Sequence, residues 1–120
     1  QGRPFALGLC LHEDYDARGT YCYELAPRGS ARLGERLLAA CESILPRETR
    51  SQIEGRRARR GLIRRTVPPR DLPGFPEAIA LHHHHARHNL TFETPSEFCL
   101  HDRVQAHHRF LDSALQELGW

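Results

Sequence analysis

The apolar run Phe5–Leu11 (FALGLCL) places the strongest constraint on the fold. Read as a strand, it turns Phe5, Leu7, Leu9 and Leu11 to one face, whereas the other face carries small residues and ends at His12. Two faces without charge indicate a strand that is buried on both sides, as in the centre of an α/β sheet. His12 would then project from the carboxyl end of that strand, where open α/β sheets bind ligands.

The rest of the chain supplies the other elements of such a fold. We predict strands over Thr20–Leu25 and Asn89–Thr94, the second ended by Pro95 because proline cannot donate to a ladder. Apolar residues at helical spacing predict two amphipathic helices. The first contains Leu33, Leu37, Leu38, Cys41, Ile44 and Leu45, with Ser30 as its N-cap and Pro46 at its end; the second contains Val104, His108, Leu111, Leu115 and Leu118.

An irregular, arginine-rich region is expected over residues 47–74. Nine arginines lie between Arg47 and Arg70, against Glu48 and Glu54 alone. A basic cluster is one signature of nucleic-acid binding. No aromatic residue is interleaved to stack on bases, so a solvated surface segment is favoured and nucleic-acid binding is the weaker hypothesis.

Nine histidines raise the alternative of a metal-binding module without catalytic activity. A short helix is predicted over Glu77–Leu81, and four consecutive histidines, His82 to His85, follow it. On a helix His84 and His88 would share one face, and Cys99 or His101 could complete a set of zinc ligands. Four adjacent histidines point in different directions, however, so at most two of them can meet one ion.

Length and composition favour a single domain. The 120 residues carry a net charge of +2, and no apolar run is long enough to cross a membrane. The four cysteines are widely spread without a C-x-x-C pair, which predicts reduced thiols and a cytoplasmic protein. Methionine is absent and the chain enters an apolar run at once, as expected of a fragment.

Two short stretches resemble the M14 family of zinc carboxypeptidases, near its murein-peptide amidase and succinylglutamate desuccinylase/aspartoacylase branches. The first is Asn89–Ser96 (NLTFETPS), followed by Leu100, Arg103-Val104, His107 and an apolar helix; the second is Leu11-His12-Glu13-Asp14 with the strand-like stretch Gly19–Leu25 behind it. The resemblance implies an α/β sandwich around a mixed sheet. It also implies that Glu93 is the general base, that His12 is a Zn²⁺ ligand, and that Glu13 and Asp14 orient the histidine.

The same resemblance predicts which parts are absent. The family takes its other two zinc ligands from an H-x-x-E motif, and no histidine here is followed three residues later by glutamate. Residues 1–120 are therefore expected to form a C-terminal portion of the domain, inactive without the remainder. The implied substrate is a peptide or N-acyl amino acid with a terminal amide bond. Four arginines stay open as the group that grips the substrate carboxylate: Arg64, Arg65, Arg70 and Arg87.

Overall fold

The computed structural model describes residues 4–66 and 85–120. Six strands and two helices occur in these ranges. In chain order they are β1 (Gly8–Asp14), β2 (Tyr21–Leu25), α1 (Leu33–Cys41), β3 (Gln52–Ile53), β4 (Arg56–Arg57), β5 (Leu62–Arg65), β6 (Asn89–Pro95) and α2 (Leu100–Glu117). The predicted α/β class is confirmed, as are both helices and the three strands expected from the sequence.

Four of the strands form a mixed sheet in the order β1-β6-β2-β5. β6 runs parallel to β1 and antiparallel to β2, and β5 is parallel to β2. The mixed sheet implied by the resemblance is therefore present. In this order the last strand of the chain lies between the first two, and every residue of β6 is buried.

Both helices pack against one face of the sheet, and the β3–β4 hairpin contributes to the other. On the helical face Phe110 of α2 stacks on Phe92 of β6, with ring centroids 4.1 Å apart. On the opposite face Tyr21 and Tyr23 pack with Ile53 of the hairpin in a second cluster. Burying a large apolar side chain contributes about 1.5–3 kcal/mol, so these two clusters hold the sheet between its layers.

The prediction that β1 is the central strand is wrong for the described part of the sheet. β1 lies at the edge of the four strands, and Leu11 is 40% exposed. The apolar pattern of Phe5–Leu11 indicates only that the segment is hydrophobic. Position within a sheet depends on which strands pair, and the segment itself does not encode that.

The predicted cap of α1 is also wrong. The helix begins after Arg32, which makes no side-chain capping bond, and ends at Cys41, several residues before Pro46. Ser30 instead bonds locally, donating from its hydroxyl to the Pro27 carbonyl at 2.7 Å. Local turn formation of this kind competes with capping for serine side chains.

The arginine-rich region is not irregular throughout, because residues 52–65 contain three strands. Glu54 and Gly55, both with positive φ, form the turn of the β3–β4 hairpin. β5 is the fourth strand of the main sheet, and its Leu62 and Ile63 are buried. The predicted helix over Glu77–Leu81 lies outside the described residues. No helix in the described ranges is long and apolar enough to span a membrane.

Candidate active site

His12 and Glu93 lie side by side at the carboxyl ends of two parallel strands. Their Cα atoms are register partners across β1 and β6, so both side chains leave the same face of the sheet. His12 Nδ1 lies 3.1 Å from Glu93 Oε2. Two residues 81 positions apart in the sequence thus form one hydrogen-bonded pair.

Glu93 is a buried carboxyl group with an altered acidity. It is 5% exposed, and burial raises its pKa to about 7. His12 acts in the opposite direction, while the carboxylates of Asp14 and Glu54 add to the increase. A carboxyl group with a pKa near neutrality can both accept and release a proton at physiological pH.

Asp14 supports this edge of the sheet through Tyr21. The Tyr21 hydroxyl donates to Asp14 Oδ2 at 2.6 Å, and the Asp16 amide donates to Asp14 Oδ1 at 2.8 Å. Tyr21 is the register partner of Glu93 on the other side of β6. Burial raises the pKa of Tyr21 far above its usual range, helped by its hydrogen bond to Asp14, so it stays a neutral donor.

Glu13 faces away from His12, as alternation along a strand requires. Its carboxylate pairs with Arg103 of α2 and lies 3.5 Å from the Thr94 hydroxyl. Thr94 Oγ1 in turn lies 3.0 Å from His107 Nε2. Glu13 therefore links β1 to α2 on the helical face, whereas Asp14 shares the face of His12.

No pattern in the sequence indicates that Tyr21 and Glu54 are neighbours of Glu93. Periodicity predicts Tyr21 only as part of the strand Thr20–Leu25, and it predicts an irregular region where Glu54 lies in the β3–β4 hairpin. Their proximity depends on the antiparallel pairing of β2 with β6 and on the fold of the β3–β4 hairpin. Neither can be deduced from residue spacing.

Among the arginines considered for a substrate carboxylate, Arg64 is already engaged. Its Nη1 lies 2.7 Å from Glu24 Oε1, and its Nη2 donates to the Ser30 carbonyl. Arg65 lies one residue further along β5, and Arg70 is outside the described residues. None of these contacts brings an arginine to Glu93.

His88 lies at the opposite end of β6 from Glu93. Its Nε2 lies 2.6 Å from Glu24 Oε2, to which the Gly34 amide also donates. Burial by itself would raise the pKa of Glu24, but hydrogen bonds from His88, Gly34 and Arg64 lower it below the usual range. His88 thus anchors a buried carboxylate, and His82 to His84 lie outside the described residues.

The described residues do not form a complete zinc site by themselves. A catalytic zinc takes three protein ligands from histidine, carboxylate or cysteine side chains and leaves a position for water. The imidazole of His12 has the required chemistry and stands next to a buried carboxylate. Within residues 4–66 and 85–120, however, no three His, Cys, Asp or Glu side chains converge on one point, so further ligands would have to come from elsewhere.

The fold is shared with crystal structures of larger proteins from Shewanella species. Similar crystal structures are those of proteins named "putative metallopeptidase" from Shewanella amazonensis (TM-score 0.74, 23% identity), Shewanella baltica (0.73, 24%) and Shewanella denitrificans (0.71, 23%). They align with 88–91% of this chain, which spans only 38–40% of theirs. The sequence matches no protein-family model, and no curated protein matches it significantly.

Proposed function

We propose that this chain carries the general base and one zinc ligand of a hydrolase that cleaves a terminal peptide or amide bond. One observation carries the proposal: His12 and Glu93 are register partners at the carboxyl ends of parallel strands, with Nδ1 and Oε2 3.1 Å apart. The likeness in fold to structures named as metallopeptidases supports it. The M14 family remains our specific assignment for this site.

His12 would be the ligand that this chain contributes. Its ring is fixed by the carboxyl end of β1 and by the hydrogen bond to Glu93. When bound, a zinc ion supplies a Lewis acid for the scissile carbonyl and lowers the pKa of water at its open position. The remaining ligands would be brought by parts of the protein outside the described residues, as the H-x-x-E motif of the resembling family implies.

Glu93 would move the proton during hydrolysis. As general base it takes a proton from the attacking water, and it then delivers that proton to the amine that leaves. The buried position of Glu93 keeps the carboxylate poorly solvated, so accepting a proton costs little. Asp14 and Tyr21 hold the neighbouring strand end in place through their 2.6 Å hydrogen bond.

The substrate proposed for this site is a peptide or an N-acyl amino acid. Both present an amide bond whose carbonyl a bound metal can polarise and whose leaving amine can take a proton from the general base. We propose a cytoplasmic protein that has no membrane partner and whose four cysteines stay reduced.

The test uses the full-length protein with Glu93→Gln and His12→Ala. Glu93→Gln should keep the zinc content and lose amide hydrolysis by a factor on the order of 10²–10⁴, because the base is removed while the ligands stay. His12→Ala should lower zinc affinity at least tenfold, measured by competition with a chromogenic chelator.

Matched controls use exposed residues of the same type. Glu97 lies four positions from the proposed base, and His108 lies on the solvent side of α2, so Glu97→Gln and His108→Ala serve as the two controls. Both should retain wild-type hydrolysis and zinc content. Full activity in Glu93→Gln would refute the base assignment, and unchanged zinc affinity in His12→Ala would refute the ligand assignment.

A further inference from the structure

A cavity lined by arginines lies along β5, the edge of the sheet opposite β1. Its volume is about 680 Å³, and it draws residues from the start of α1, from β4 and from β5. Six of its lining residues are arginines, namely Arg32, Arg57, Arg59, Arg60, Arg64 and Arg65. Among the lining residues that the structure describes, Glu35 alone is acidic.

The positive charge of this cavity is largely uncompensated. Glu35 is occupied by Arg47, which donates to both of its carboxylate oxygens at 2.9 Å and is not part of the lining. Arg64 is held by Glu24, and Arg60 lies 3.5 Å from Glu42. Within the described ranges no side-chain hydrogen bond or ion pair is found for the four remaining arginines: Arg32, Arg57, Arg59 and Arg65.

Such a cluster of like charges opposes folding unless an anion relieves it. A planar guanidinium presents parallel N–H donors that match both oxygens of a carboxylate. The described lining contains no aromatic side chain on which a base could stack, which disfavours single-stranded nucleic acid. Apolar Ala58, Leu62 and Ile63 also line the cavity and suit the methylene groups of extended acidic side chains.

We propose that this cavity, the β5 cavity, binds a carboxylate-rich extended segment of a partner protein. Its volume lies in the range of ligand sites, about 300–1,000 Å³, and fits a few residues of an extended chain. The cavity is separated from β6 by β2, which lies between β5 and β6 in the sheet. The binding site shares no lining residue with the His12–Glu93 pair and does not depend on hydrolysis.

Binding of a fluorescently labelled oligoglutamate peptide to the full-length protein tests this proposal. Fluorescence anisotropy should report binding that is absent for a glutamine peptide of equal length and that weakens with salt. The double variant Arg57→Gln/Arg59→Gln should raise the Kd by about tenfold or more. Arg109→Gln on α2 removes one exposed charge outside the cavity and should leave the Kd within about twofold.

A measurement on the wild-type protein covers the case in which the double variant does not fold. Phenylglyoxal modifies accessible arginines, and bound oligoglutamate should protect Arg57 and Arg59 but not Arg109, as read by mass spectrometry. Three results would overturn the proposal: no binding, equal protection of all three arginines, or binding of a single-stranded oligonucleotide of matched charge as tight as that of the peptide. In the last case the surface would be a nucleic-acid site.

Discussion

Replacing Glu24 by glutamine removes a charge on which three parts of the fold depend. Glu24 lies on β2 with no exposed surface and accepts from the Gly34 amide at the start of α1. Its carboxylate also pairs with Arg64 of β5 at 2.7 Å and with His88, directly before β6, at 2.6 Å. Glutamine has nearly the same shape, so the substitution changes the charge and leaves the packing intact.

The expected loss of unfolding free energy is about 3 kcal/mol at pH 7. A hydrogen bond to a charged group contributes about 1.5–3 kcal/mol, and the amide oxygen of glutamine can keep one acceptor contact of the original set. Leaving one partner of a buried ion pair uncompensated costs about 3–5 kcal/mol. Arg64 retains its bond to the Ser30 carbonyl, so the value should fall at the lower end of that range.

The effect should depend on pH with a defined sign. The pKa of Glu24 is lowered in the folded protein, so its contribution is complete above the pKa of an unfolded glutamate, about 4.3. That contribution is lost as the pH falls through the folded value. The difference in stability between wild type and Glu24→Gln should therefore be constant from neutral pH down to about pH 5 and shrink below it.

Urea denaturation followed by circular dichroism between pH 3 and pH 8 measures this difference. Glu97→Gln, an exposed carboxylate on the loop after β6, is the matched control and should change stability by less than about 0.5 kcal/mol. Two results would show that the carboxylate does not hold these elements together. One is a loss of unfolding free energy below about 0.5 kcal/mol for Glu24→Gln, and the other is a loss that is as large at pH 3 as at pH 7.

Two further perturbations probe the core and the thiols. Phe110→Ala should lower the free energy of unfolding by about 3–5 kcal/mol in denaturant titrations, because it removes a ring that stacks on Phe92. Leu115→Ala, on the exposed side of α2, should lower it far less, and equal losses would contradict the assigned core. Of the four cysteine thiols, Cys99 alone is exposed, and burial raises the pKa of the Cys41 thiol to about 12. Ellman's reagent should therefore modify Cys99 quickly and the other three thiols only on unfolding; fast reaction of a second thiol would contradict their burial.

The elements that carry their own periodicity could be predicted from the sequence. In β6, apolar Leu90 and Phe92 alternate with polar Thr91 and Glu93, and the strand ends at Pro95. In α2, apolar residues recur every three or four positions. These signals are local, so both elements were found within a few residues of their bounds. The boundaries of α1 were less accurate, because Ser30 has a local partner that competes with the cap.

The strands of the arginine-rich region could not be predicted in the same way. β5 contains only two apolar residues, Leu62 and Ile63, followed by two arginines. Its strand geometry depends on parallel pairing with β2, which burial of Ile63 against Tyr23 stabilises. Such stabilisation comes from contacts distant in sequence, and strand propensity depends strongly on them.

The family resemblance predicts the candidate site, whereas residue spacing alone does not. Nothing in the sequence between His12 and Glu93 indicates that their Cα atoms are register partners. The burial of Glu93 and the nearby Tyr21 likewise follow from the order of the strands. Periodicity predicts where the two strands end, but only the strand order of the fold brings those ends next to each other.

The position of β6 between β1 and β2 determines when the site can form during folding. β1 and β2 are consecutive in the chain but do not pair, since the strand between them is synthesised some sixty residues later. Pairing β1 with β6 closes a long loop, and contacts of such large sequence separation form slowly. A nascent chain that ends before Asn89 therefore holds His12 without its partner carboxylate, and the arrival of β6 creates the hydrogen-bonded pair and the buried sheet in the same event.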